Sequence, residues 1–127
     1  MAIFILLIAF ISIPFSAYGT LPTTIIRDCY DGDTCTTIDG EKIRLACIDT
    51  PELKGKKANP IKAKEARDFM NKLVSNKKVS IKRINTDKYG RTVAELFKNN
   101  INLQELVVKK GYGKIYKRYA FQCSWAQ

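Results

Sequence analysis

The chain has 127 residues, with 22 Lys and Arg against 12 Asp and Glu for a net charge of +10, and it contains no histidine. This length accommodates one domain at most, with a core of modest size. The missing histidine excludes His-based general bases, Ser-His and Cys-His nucleophile pairs and most catalytic zinc sites, which leaves proton chemistry to Asp, Glu, Tyr, Lys or Cys.

Ala2 to Ile13 form an uncharged apolar run of 12 residues, too short to span a bilayer comfortably, and the small residues of Ala17-Tyr18-Gly19 follow. Residues 1–19 are expected to be a signal peptide cut near Gly19, although no Lys or Arg precedes the run. The mature chain, residues 20–127, would then be secreted or periplasmic. All four cysteines, Cys29, Cys35, Cys47 and Cys123, lie in that part. An even number in an exported small domain favours disulfides and leaves three connectivities open; spacings of six, 12 and 76 contain no closely paired zinc ligands.

No charged side chain precedes Arg27. From there to Glu52, three basic residues (Arg27, Lys42, Arg44) stand against seven acidic ones (Asp28, Asp31, Asp33, Asp39, Glu41, Asp49, Glu52), whereas Leu53 onward holds 19 basic and five acidic residues. An acidic island in a basic chain therefore needs an explanation, while the basic remainder suits nucleic acid or an anionic surface.

Thr23 to Ile48 is rich in Thr, Ile, Cys and Tyr, and Asp39-Gly40 is a two-residue hairpin signal, so a strand is predicted on each side of it. Asp31 and Asp33 are two residues apart and would share one face of a strand. Arg44 is expected on the same strand as Asp49. Asp49-Thr50-Pro51-Glu52 sets an acid on each side of a proline-stiffened turn. Brought together, Asp31, Asp33, Asp49 and Glu52 would make a pocket of oxygen ligands for calcium or magnesium.

Leu53 to Asn59 reads as a basic loop, and Asn59-Pro60 as a cap with proline at the first helical position. The following helix is predicted to about Asn76, since Ala66, Phe69, Met70, Leu73 and Val74 share a face. Strands are predicted over Lys78 to Ile84 and Thr92 to Phe97, separated by a charged turn from Thr86 to Arg91. Asn102 and Glu105 open a second helix that Gly111 closes; a short strand, Tyr112 to Tyr116, and an irregular tail end the chain. This order suggests an α+β fold, a five-stranded Greek-key barrel with two or three helices to one side.

Asp31-Gly-Asp33-Thr34, Ile43-Arg44-Leu45, Ile48-Asp49-Thr50-Pro51-Glu52, Thr86-Asp87-Lys88-Tyr89-Gly90-Arg91 and Gly111-Tyr112-Gly113-Lys114, taken together and in this order, resemble the staphylococcal nuclease (thermonuclease) family. The resemblance covers most of residues 20–127 and implies an OB-fold barrel that acts as a calcium-dependent endonuclease on DNA and RNA, leaving 3′-phosphate ends. By similarity Asp33, Asp49 and the Thr50 carbonyl would hold Ca2+, with Asp31 supporting through water. Glu52 would be the general base, and Arg44 and Arg91 would bind the phosphate and stabilise the transition state.

Lys88 and Tyr89 resemble the family's phosphate contacts, and Tyr116 or Tyr119 would stack on a base. Single-stranded DNA and RNA are the expected partners, duplex DNA less so, with the protein a monomer. Family members usually continue into a C-terminal helix where this sequence reaches Gln127. A disulfide from Cys123 would anchor the tail in its place, or the chain is a shortened form. The competing readings are a non-catalytic nucleic-acid-binding OB-fold module and, more distantly, a cationic membrane-surface protein.

Overall fold

In a computed structural model describing residues 20–127, together with Ala9 and Ser12, the chain rises into β1 at Thr23–Asp31, turns at Gly32-Asp33 and returns as β2, Thr34–Thr37. The expected signal peptide otherwise lies outside the described residues. Ile26 and Cys29 are three apart yet both buried, because a register shift between Ile26 and Asp28 turns the strand. The predicted hairpin at Asp39-Gly40 connects β2 to β3, Lys42–Leu45, with Gly40 at φ 86°, where glycine carries no steric cost. A sharp bend then leads into β4, Ile48–Asp49; Cys47 sits in it at φ 69°, an uncommon conformation for a residue with a side chain.

The first long helix, α1, spans Pro60–Val74, and the Asn59 side chain caps it by accepting from the Lys62 amide. Ala63, Ala66, Met70 and Val74 form its buried stripe, with two alanines that let its N-terminal half approach the barrel closely. Then come β5, Lys77–Thr86, β6, Thr92–Lys98, the short β7, Ile101–Asn102, and α2, Leu103–Lys109, whose Asn102 cap accepts from the Glu105 amide. The chain ends in β8, Lys114–Ile115, and two 3-10 turns, Lys117–Gln122 and Ser124–Ala126.

The large sheet runs β3-β2-β1-β5-β6-β7, and a parallel pairing of β3 with β6 closes its first five strands into a barrel. The α+β, five-stranded OB-type architecture is therefore present, with two α-helices beside it. Ile26, Ile43, Leu45, Ile48, Ile81, Leu96 and Val107 fill the core, each contributing about 1.5–3 kcal/mol through removal from water. At the closing seam the buried Gln104 amide donates to the carbonyl of Ala94 and accepts from the amide of Leu96. This satisfies the Leu96 amide beyond the end of the short parallel pair and adds a second donor to the Ala94 carbonyl, which also accepts from the Ala46 amide.

Some boundaries differ from expectation. Two strands, not one, precede Asp39-Gly40, because Gly32 allows a turn inside the apparent run. Arg44 and Asp49 lie on different strands, β3 and β4, since the Cys47 bend divides them. The cysteines pair as Cys29–Cys35, across β1 and β2, and Cys47–Cys123, tying the tail to the barrel. Among the described residues no helix is long and apolar enough to cross a membrane.

Candidate active site

The β1–β2 turn builds one side of the site. Asp31 accepts at Oδ1 from the Asp33 amide at 3.0 Å, an Asx-type closure that gathers both carboxylates into one turn rather than onto one strand face. Asp33 is buried. Its Oδ2 accepts from the Thr50 amide at 3.1 Å and lies 3.5 Å from Nη2 of Arg44, while Oδ1 accepts from the Thr34 hydroxyl. Burial, and then the charge of Asp33 beside it, push the Asp31 carboxyl up to about 6.

Gly32 explains how this turn fits. A Cβ there would lie 2.8 Å from Ala66 Cβ of α1 and 2.8 Å from Thr50 Cγ2. Only a residue without a side chain lets the turn wedge between helix and acidic segment. Gly113 does the same from the other side, where a Cβ would lie 3.1 Å from the Asp49 carbonyl oxygen.

Arg44 projects from β3 and is held by two carbonyls, donating from Nη1 to Leu45 O at 2.6 Å and from Nη2 to Ile48 O at 2.8 Å. Arg91 is held by Asp87, with Nε donating to Oδ2 at 2.7 Å; the same carboxylate accepts the amides of Tyr89 and Arg91 at Oδ1. These bonds, against the opposing effect of burial, leave Asp87 below the usual carboxylate range. Lys88 and Arg91 both sit over the exposed Tyr89 ring, 5.1 and 5.3 Å from its centre.

The two arginines and the charged turn that carries Arg91 meet in one cleft of about 730 Å³. Arg44, Asp49, Glu52, Lys88, Tyr89, Arg91, Tyr116 and Tyr119 all line it. Tyr116 and Tyr119 pack edge to face, ring centres 5.2 Å apart. Glu52 is exposed, and its carboxylate accepts no hydrogen bond among the described residues. Asn85, Asp87, Arg118 and Gln122 also line the cleft, and sequence reasoning had not singled them out. For Asp87 a signal existed: Asp-x-x-Gly is a turn pattern whose carboxylate closes on its own backbone.

Among the described residues no three acidic or cysteine side chains are gathered tightly enough to hold a metal ion by themselves; Asp31 and Asp33 belong to the β1–β2 turn, which the Thr50 amide joins to the Asp49–Glu52 segment, and Asp49 and Glu52 line the cleft. The donor chemistry nevertheless fits a hard divalent cation, with carboxylates of Asp33 and Asp49, backbone carbonyl oxygen and water in place of a full protein cage. The buried Thr50 Oγ1, which has no hydrogen-bond partner, leaves an unsatisfied oxygen at the same place.

The sequence model of the family described as "Staphylococcal nuclease homologue" matches residues 42–125. The chain is 41% identical over 92 residues to an uncharacterized protein of Bacillus anthracis, covering 67% of this chain and 43% of that protein. It is 37% identical over 78 residues to a probable staphylococcal-like nuclease of Oryza sativa subsp. japonica, covering 61% and 20%. An uncharacterized endonuclease of Escherichia coli is 31% identical over 93 residues, covering 70% and 58%. The chain thus spans between a fifth and somewhat over half of the length of these relatives. The family match runs from β3 to the last turn and takes in every cleft-lining residue, so the chain belongs to the staphylococcal nuclease homologue family.

Proposed function

We propose that this protein is an exported, calcium-dependent endonuclease that hydrolyses single-stranded DNA and RNA, and duplex DNA less well, to 3′-phosphate ends. The observation that carries this reading is the convergence of Arg44, Arg91, Asp49 and Glu52 on one cleft. Two relatives whose names include nuclease or endonuclease support it. Export is supported by the apolar run at residues 2–13 and by two disulfides.

Asp33, Asp49 and the Thr50 carbonyl would hold the cation, with Asp31 supporting through water; when bound, it would neutralise phosphate charge and make nearby water more acidic. Glu52 has a carboxylate with free lone pairs, suited to taking the proton of a water that attacks phosphorus in line. The bond from phosphorus to the 5′ oxygen breaks, that oxygen takes a proton from solvent, and the phosphate stays on the 3′ side. Arg44 and Arg91 are pre-oriented by Leu45, Ile48 and Asp87, so their charge meets the developing phosphorane without rearrangement. Lys88 and Tyr89 would contact the neighbouring phosphate, and Tyr116 or Tyr119 a base.

Single-stranded DNA and RNA incubated with the protein in calcium or in chelator test this directly. Cleavage should require calcium, and Glu52→Gln should lower it about 100-fold or more. Calcium-independent cleavage, or full activity in the variant, would sink the mechanism. Binding without cleavage under any metal would mark a non-catalytic module.

A further inference from the structure

A second cleft of about 370 Å³ lies against the first, and Asp49 and Glu52 belong to both. Its other lining includes Lys57 of the basic loop, Lys62 in the first turn of α1, and Lys114 on β8. Lys114 is the antiparallel register partner of Asp49, which fixes it beside the acidic ridge. Gly113 lets this strand lie against Asp49, and Tyr112, stacked on Phe69 with ring centres 4.4 Å apart, holds the wall to α1. Among the described residues none of the three lysines is in an ion pair. Three ammonium groups outnumber the two carboxylates, Asp49 and Glu52, in this concavity, and the excess positive charge favours a polyanion.

We infer that this second cleft is a phosphate-backbone subsite for the strand beyond the scissile phosphate. The inference rests on the nuclease reading above and deepens it. The basic residues of the first cleft, Lys88 and Arg118 among them, hold one side of a bound strand. Lys57, Lys62 and Lys114 hold the other. A strand therefore passes over the Asp49–Glu52 ridge and leaves on both sides, so the bond cut is internal, and the grip reads backbone charge rather than base identity.

The test is salt-dependent binding in a Glu52→Gln background with calcium present. Fluorescence anisotropy would compare Lys57→Gln/Lys62→Gln/Lys114→Gln with its parent on an oligothymidylate of about 12 nucleotides and on a dinucleotide. Loss of three phosphate contacts should flatten the slope of log affinity against log salt by about 2 and weaken the longer oligomer roughly tenfold in low salt. The dinucleotide should change by less than about twofold, since it contacts few of these phosphates. A control, Lys72→Gln/Lys77→Gln/Lys78→Gln, removes equal charge near the opposite end of α1, about 20 Å away along its axis. An unchanged slope in the cleft variant, or an equal change in the control, overturns the subsite. A parent that binds neither oligomer overturns the nuclease reading, and this inference with it.

Discussion

Thr50 donates its backbone N–H to Oδ2 of Asp33 over 3.1 Å, across 17 residues of sequence. That bond joins the β1–β2 turn to the Asp49–Glu52 segment, so that the two halves of the acidic island are tied directly to each other. Asp33 also faces Arg44 at 3.5 Å, and the anion, the cation and the turn hold one another in place.

Gly32→Ala should break this junction while adding only one methyl. Its Cβ would enter within 2.9 Å of Ala66 Cβ and of Cγ2 and Oγ1 of Thr50, between α1 and the segment that follows β4. Overpacking of this kind costs about 1–3 kcal/mol. Urea unfolding should show that loss, and cleavage should fall further than stability alone explains, because the Asp33 carboxylate shifts away from Thr50.

Asp87→Ala should separate positioning from folding. The carboxylate holds the Arg91 guanidinium and two turn amides on a mostly solvent-exposed turn. Its removal should cost about 1–2 kcal/mol in stability, since the pair is partly buried and two turn amides lose their acceptor. Activity should fall about tenfold or more, since Arg91 loses its orientation. Retention of part of that activity in Asp87→Asn, which keeps the amide acceptor, would support the positioning role.

Breaking Cys47–Cys123 as the double serine variant should lower stability by about 2–5 kcal/mol, the usual range for a native disulfide in a small domain. The tail carries Tyr116 and Tyr119, and the Tyr116 amide donates to the Cys47 carbonyl. The variant should therefore show a higher KM on oligonucleotides in conditions where it remains folded, as judged by circular dichroism.

Acid should reveal one further ion pair. Arg83 donates from Nε and Nη2 to the two oxygens of Glu41, at 2.9 and 2.7 Å, and the Thr92 hydroxyl donates to one of them. The Arg83 hydrogen bonds hold the Glu41 carboxyl below its ordinary 4.5. A carboxylate lowered in the native state adds stability that is complete above its unfolded value and is lost as pH falls through the native one. The stability difference between parent and Glu41→Gln should stay constant above about pH 5 and shrink below about pH 4.5, read from urea midpoints.

What the sequence made legible follows from distance along the chain. Both caps, Asn59 and Asn102, and the apolar face of α1 depend on neighbours within a turn or two, and they stand where periodicity puts them. The split of Thr23 to Thr37 into two strands was hidden because Gly32 earns its place from Ala66 and Thr50, which lie far away in sequence. Disulfide partners were likewise unreadable: Cys29 and Cys35 meet through strand register, Cys47 and Cys123 through the path of the tail. The acids, arginines and tyrosines were recognisable as a set, yet their division between a buried turn and an open cleft was not.

The parallel seam between β3 and β6 registers Arg44 with Val93, two residues after Arg91. The strand contact that completes the ring thus sets side by side the two segments whose local bonds orient these guanidinium groups toward the same cleft. On the proposed reading, a chain whose ring is still open has its charged groups scattered and is chemically inert. On that reading, competence to cut becomes a report on whether the ring has closed.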